Sequence, residues 1–176
     1  MVKSLKSLLL VPFLAFAPLR EASAYDCGDF SIDCAVGSFA ELVKTAGDKG
    51  IGRKLVDNDS PEKNTTYYLD EMNTIKIGDN FYEVKYRDVG NNGPDSRDDL
   101  SIRKRIREGK EWVDEKSWSD NALNGFHDLV RRYSRGPEFD RINPTSVSAE
   151  TRQQADDAYR ALVIYLAREL RRNLRK

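Results

Sequence analysis

His127 and Asp128 form the one adjacent pair whose side-chain types suit catalysis. A histidine titrates near neutral pH and serves as a general base, and a neighbouring carboxylate can hold a cation or orient a partner. His127 is the single histidine of the chain. Glu83 and Arg87, on one face of an expected strand, would complete a histidine–glutamate–arginine set suited to RNA cleavage. The competing reading of His127 is structural. Leu123, Phe126, Val130 and Tyr133 predict a helix over Asp120–Ser134, which sets His127 on its apolar side and Asp128 about 100° around. Other chemistries lack their residues. There is no G-x-S-x-G for a serine nucleophile. Gly47–Lys54 has Arg53 after its last glycine and Leu55 after Lys54, so it reads as a turn and not as a phosphate loop. The acidic loops at Asp57 and Asp59, and at Asp95, Asp98 and Asp99, do not have the spacing of an EF-hand. With one histidine and two cysteines, no metal or cofactor is expected.

Two short motifs carry likenesses. The His127-Asp128 pair resembles that of the secreted phospholipases A2, whose histidine activates water beside a calcium-binding aspartate. That family's glycine-rich calcium loop and the disulfides around its catalytic helix have no counterpart here. Tyr25-Asp26-Cys27 is similar to the Y-x-C opening of fungal ribonuclease-like effectors, which place their second cysteine far away.

These residues belong to a chain with the marks of export. Lys3 and Lys6 precede an apolar run, Leu8–Leu19, and Ala22-Ser23-Ala24 supplies small residues in an A-x-A arrangement. Residues 1–24 read as a signal peptide cut before Tyr25, since twelve apolar residues fall short of the roughly 20 that a membrane span needs. No other segment predicts a transmembrane span. Cys27 and Cys34 both survive cleavage, and an even count in an oxidising compartment predicts a disulfide between them. Its short loop is worth roughly 2.5 kcal/mol on the chain-entropy account. Asn58 and Asn64 each open an N-x-[ST] sequon. The whole chain carries 29 basic and 29 acidic residues. This balance gives no reason to expect nucleic acid as an obligatory partner.

The mature chain is long enough for one domain with its own core. Phe30, Ile32 and Cys34 predict a short strand, and Ser38–Ala46 a short helix behind a Ser38/Glu41 capping box. Residues 65–89 have strand texture: Thr74–Ile77 and Phe81–Arg87 flank a Gly78-Asp79-Asn80 hairpin loop, with Tyr82, Val84 and Tyr86 on the packed face. The tyrosines thus serve the core, and Phe81 is left as the aromatic beside Lys85 and Arg87. Ser96–Asp99 resembles a second capping box, opening a helix through Leu100, Ile102 and Ile106 to about Gly109. A last helix is predicted from Ser148 to Leu174, with Tyr159, Leu162, Val163, Leu166 and Leu170 inside. The expected architecture is α+β: a small antiparallel sheet at about 65–89 packed against several helices, with a long amphipathic C-terminal helix. Arg168, Arg171, Arg172, Arg175 and Lys176 near its end suit the helix dipole, or an anionic partner. The function expected for residues 25–176 is a secreted, non-catalytic binding or effector module with a protein partner outside the cytoplasm. The alternative is a secreted hydrolase, phospholipase- or ribonuclease-like, with His127 as general base.

Overall fold

The computed structural model describes residues 32–70, 75–108, 111–126, 129–132, 140–142 and 148–175. Helix α1 spans Cys34–Asp48. Strands β1 (Arg53–Val56), β2 (Thr65–Leu69), β3 (Ile75–Ile77), β4 (Asn80–Asp88), β5 (Asp99–Glu108), β6 (Glu111–Asp120), β7 (Leu129–Arg132) and β8 (Asp140–Ile142) follow, and helix α2 spans Ala149–Leu174.

α1 begins where a side chain takes up its free amides. The Asp33 carboxylate accepts from the N–H groups of Ala35 (3.0 Å) and Val36 (3.2 Å), which is N-capping. Val36, Phe39, Ala40, Val43 and Ala46 then bury one stripe. The sheet comes so close that a Cβ on Gly47 would stand 2.6 Å from Cδ1 of Tyr67. α2 is capped by Ser148, whose Oγ accepts from the Thr151 amide at 3.2 Å. Its core stripe is Tyr159, Val163, Leu166 and Leu170, and no described helix is long and apolar enough to cross a membrane.

The strands form one antiparallel sheet in the order β1-β2-β4-β5-β6-β7-β8, with β3 also on β4. β2 and β3 pair along the same edge of β4: Leu69 faces Val84 and Ile75 faces Tyr82, so Glu83 alone separates the two pairings. Between β5 and β6 the register shifts at Lys104/Arg105: Lys104 faces Lys116, and Arg105 faces Asp114. Glu115 is the extra residue of a β-bulge, and one extra residue reverses which side chains point to which face. Both helices pack on one side of the sheet, on Tyr67, Leu69, Val84, Tyr86, Leu100 and Ile102. Tyr67 and Tyr86 stack there at 5.9 Å.

The fold expectation is therefore corrected. The sheet is not a small one at 65–89 but runs from Arg53 to Ile142, and the described residues hold two helices, not several; the long C-terminal helix is present. The helix expected from Ser96 to Gly109 is strand β5, because Leu100, Ile102 and Ile106 all fall on one side at period two. Asp98 spends its carboxylate on the Val89 amide (2.7 Å), the Asp95 amide (3.0 Å) and the Tyr86 hydroxyl (2.7 Å), so it builds a loop, not a helix cap. Where a helix was expected over Asp120–Ser134, the described residues form the end of β6, a turn within 121–126 and β7. Asp120 accepts from the amides of Ala122, Asn124 and Gly125, while Leu123 (φ 50) and Gly125 (φ 78) are left-handed, which no α-helix accommodates. Cys34 opens α1 and does not end a strand. The expected Ser38–Ala46 helix is present but starts a turn earlier, because Asp33 and not Ser38 caps it. Leu162 is only partly buried beside the α2 stripe.

Candidate functional site

Helices cover one side of the sheet, and strand periodicity decides what the other side presents. On β4 the alternation puts Phe81, Glu83, Lys85 and Arg87 outward; their register partners on β5 are Arg105, Arg103, Ser101 and Asp99. Arg107 continues that row, and Arg53 and Lys76 join it from β1 and β3. Against these seven cations stand four carboxylates, Asp70, Glu83, Asp99 and Asp114. Arg131 and Arg141 hold the register positions that prolong the row onto β7 and β8. A chain with no net charge thus gathers positive charge on one face of its sheet.

A groove of about 480 Å³ crosses this face, with Arg53, Tyr68, Lys85, Ser101, Arg103 and Ser117 among its lining. The Tyr68 ring lies 5.1 Å from the Arg53 guanidinium and 5.9 Å from the Lys85 ammonium, in cation–π range. Arg53 also pairs with Asp70. Lys85 has no carboxylate partner among the described residues.

At the distal end an ion-pair network fixes the floor. Glu83 accepts from Arg105 (2.9 Å) and lies 3.5 Å from Arg103; Asp114 lies 3.2 Å from Nε of Arg105 and 3.6 Å from Arg103. The Glu115 bulge makes this possible, since it returns Asp114 to the open face beside Arg105. Arg105 also donates to the Trp112 carbonyl (3.2 Å). The Trp112 ring meets Phe81 edge-on at 4.2 Å, with Lys76 over Phe81 at 5.5 Å. The face therefore has two aromatic stations, Tyr68 and the Phe81–Trp112 pair.

The acidic loops serve themselves. Asp57 accepts from the amides of Asp59 and Ser60. In the loop after β4, burial lifts the Asp98 carboxyl to about 6 and raises Asp88; burial also raises Glu41 on α1, with Asp88 adding its charge. Tyr86 is raised by burial and by its bond to Asp98. No group of three or more histidine, cysteine or acidic side chains among the described residues is arranged to hold a metal.

The expected site residues fall as follows. His127, Asp128, Cys27, Lys176 and the leader 1–24 lie outside the described residues, so His127 can no longer be placed by the Asp120–Ser134 helix. Cys34 is the first residue of α1. Glu83 and Arg87 do share a face but are not brought together: Arg87 lies 3.6 Å from Asp99, while Glu83 is engaged by Arg105 and Arg103. Of the C-terminal cations, Arg168 and Arg171 are half-buried, Arg175 is exposed, and Arg172 pairs with Glu169 at 2.6 Å. Tyr68, Ser101, Arg103, Arg105 and Trp112 were not among the expected site residues. The signal for the arginines was present, because reading 99–108 as a strand puts Arg103, Arg105 and Arg107 on one side.

The two sequons separate. Asn58 is exposed. Asn64 is 5% exposed, donates from Nδ2 to Ser60 Oγ (3.0 Å) and accepts at Oδ1 from the Gly90 amide (3.3 Å), so its nitrogen has no room for a glycan. Asn64→Ala should cost about 1–3 kcal/mol by stranding the Gly90 amide, read as a lower melting temperature. In a glycosylating host, any added mass should map to Asn58; glycan on Asn64 in folded protein would contradict this packing.

No protein-family profile, curated protein or solved structure matches the chain.

Proposed function

We propose that residues 25–176 act outside the cytoplasm as a non-catalytic binding module whose ligand surface is the open face of the sheet. The observation that carries this reading is the groove of about 480 Å³ on the face opposite the helices. Its lining holds the cations Arg53, Lys85 and Arg103, the carboxylates Asp70 and Glu83, three serines and the aromatic residues Tyr68 and Trp118, polar groups around a concavity as small binding sites have. The face's carboxylates Glu83, Asp114 and Asp99 are held by arginines. That arrangement presents charge to a partner; it does not poise a base.

The test has three parts. Intact mass of secreted protein should match a chain starting at Tyr25, two hydrogens lighter than its reduced form if Cys27 and Cys34 are bridged; two free thiols would refute the bridge. Purified protein should turn over neither RNA nor phospholipid. Amide chemical shifts during titration with candidate ligands should move at Tyr68, Lys85, Ser101 and Arg103. Robust hydrolysis abolished by His127→Gln in a folded variant would replace the binding reading with the hydrolase. Shifts confined to Arg171, Arg172 and Arg175 would move the surface to α2.

A further inference from the structure

We infer that the open face binds single-stranded nucleic acid, an assignment that rests on the binding-module reading and names its ligand. Surfaces that hold single strands combine a basic track for the phosphates with aromatic rings on which bases stack. Both must reach one open face, and here they do: Arg53 and Lys85 are exposed, and Tyr68, Phe81 and Trp112 are half-buried beside them. Arg53 and Lys85 flank the Tyr68 ring at 5.1 and 5.9 Å, so a base stacked on Tyr68 would bring its phosphates to two cations. Four residues along β4 from Lys85 lies Phe81, against Trp112 at 4.2 Å. At about 3.4 Å per strand residue, the stations stand roughly 14 Å apart, room for a short run of nucleotides between them.

Beside the stations, Ser101, Ser117 and Arg103 offer donors. The face is open antiparallel sheet, too flat to enter a duplex groove but able to receive splayed bases, the physical basis of sheet-surface recognition of single strands. An acidic peptide would satisfy the cations and leave the aromatic stations unused. The balanced composition hides this surface, because its positive excess is local and the carboxylates that cancel it lie elsewhere.

The experiment is fluorescence anisotropy of labelled eight-nucleotide oligouridine, as RNA and as DNA, with the full mature protein at 50 and 200 mM salt. Polyglutamate and heparin serve as competitors. Binding should weaken with salt, and Tyr68→Ala and Trp112→Ala should each weaken it about 5- to 150-fold. Lys85→Ala should reduce the salt slope by about 0.7. Lys49→Ala, an exposed cation off this face, should change neither. Tryptophan emission should be quenched on binding, and Trp112→Phe should remove most of that quenching, because Trp118 is buried on the helix side. Variant melting curves separate lost binding from lost folding, and Trp112→Phe should keep the affinity that Trp112→Ala loses. RNA binding alone would assign the hydroxyl-bearing strand, and equal binding the shared phosphate-and-base chemistry. Binding that ignores Tyr68 and Trp112, or that polyglutamate or heparin displaces at equal charge, overturns the nucleic-acid assignment but keeps the face as an anion surface. No binding of any of these, with shifts on α2 in the titration above, overturns both readings.

Discussion

Leu166→Ala lowers the melting temperature far more than Leu162→Ala. Leu166 is fully buried, on the α2 stripe with Tyr159, Val163 and Leu170 and packed towards α1 and the sheet. Removing its branched end takes apolar surface from the core and leaves a cavity that two rigid neighbours cannot close, a loss of about 2–5 kcal/mol. At roughly 2–4 °C per kcal/mol for a domain near this size, the fall is large enough to read by circular dichroism. Leu162 is only partly buried, beside Tyr82 and Trp118 at the rim of a groove, so its truncation opens a space that water already reaches. Equal losses for the two variants would show that α2 is rotated from the described packing.

Acidification from pH 7 to pH 5 stabilises the protein. The cause is the loop that closes on β4. Asp98 is buried against Tyr86, with Asp95 and Arg97 as its charged neighbours, and Asp88 beside them faces Glu41 and Lys44 of α1. Burial lifts Asp98 to about 6, above its value of about 3.9 in an unfolded chain. The native state therefore takes up a proton first, and stability rises as pH falls through 6 and is complete below about 4. Discounted for the polar groups that surround it, this contributes of order 1–2 kcal/mol. Asp88 and Glu41, also raised by burial, act in the same sense. Asp48 acts oppositely: its hydrogen bond from Lys54 holds it low, so its contribution is lost only in stronger acid. Melting temperature against pH should rise from 7 to about 5 and turn over below about 4, and Asp98→Asn should flatten the rise. A melting temperature that falls steadily from pH 7 would show that the Asp98 cluster is not buried as described.

What could be read from the residues, and what could not, follows from the range of each signal. The β3–β4 hairpin was legible because Tyr82, Val84 and Tyr86 alternate with Glu83, Lys85 and Arg87 around Gly78-Asp79, all within one short window. α2 was legible because its stripe repeats over many turns. β5 was misread as helix because Ser96 and Asp99 mimic a cap, although Leu100, Ile102 and Ile106 are all spaced by even numbers. At 120–134 a helical stripe was drawn through residues that a tight turn divides, and only the left-handed Leu123 and Gly125 reveal the turn. The binding face was legible only strand by strand, as the outward sides of β4 and, once read as a strand, of β5. Tyr68, Lys85, Ser101 and Ser117 lie on four strands and meet through pairing registers, while the Glu115 bulge brings Asp114 and Trp112 to the same face; no local pattern encodes either. Charge balance, a sum over the whole chain, concealed a separation between two faces.

The two helices that close the core come from opposite ends of the described chain. Val36, Phe39 and Val43 of α1 share a core with Val163, Leu166 and Leu170 of α2, so the first described element finds its partner in the last. Such distant pairing makes folding slow, and a nascent chain cannot finish its core until α2 has emerged. During synthesis the sheet and α1 therefore stay loosely held until α2 is present to cover them. The chain gains its full cohesion only as a finished molecule, so a stop codon anywhere before Tyr159 leaves the sheet without half of its cover.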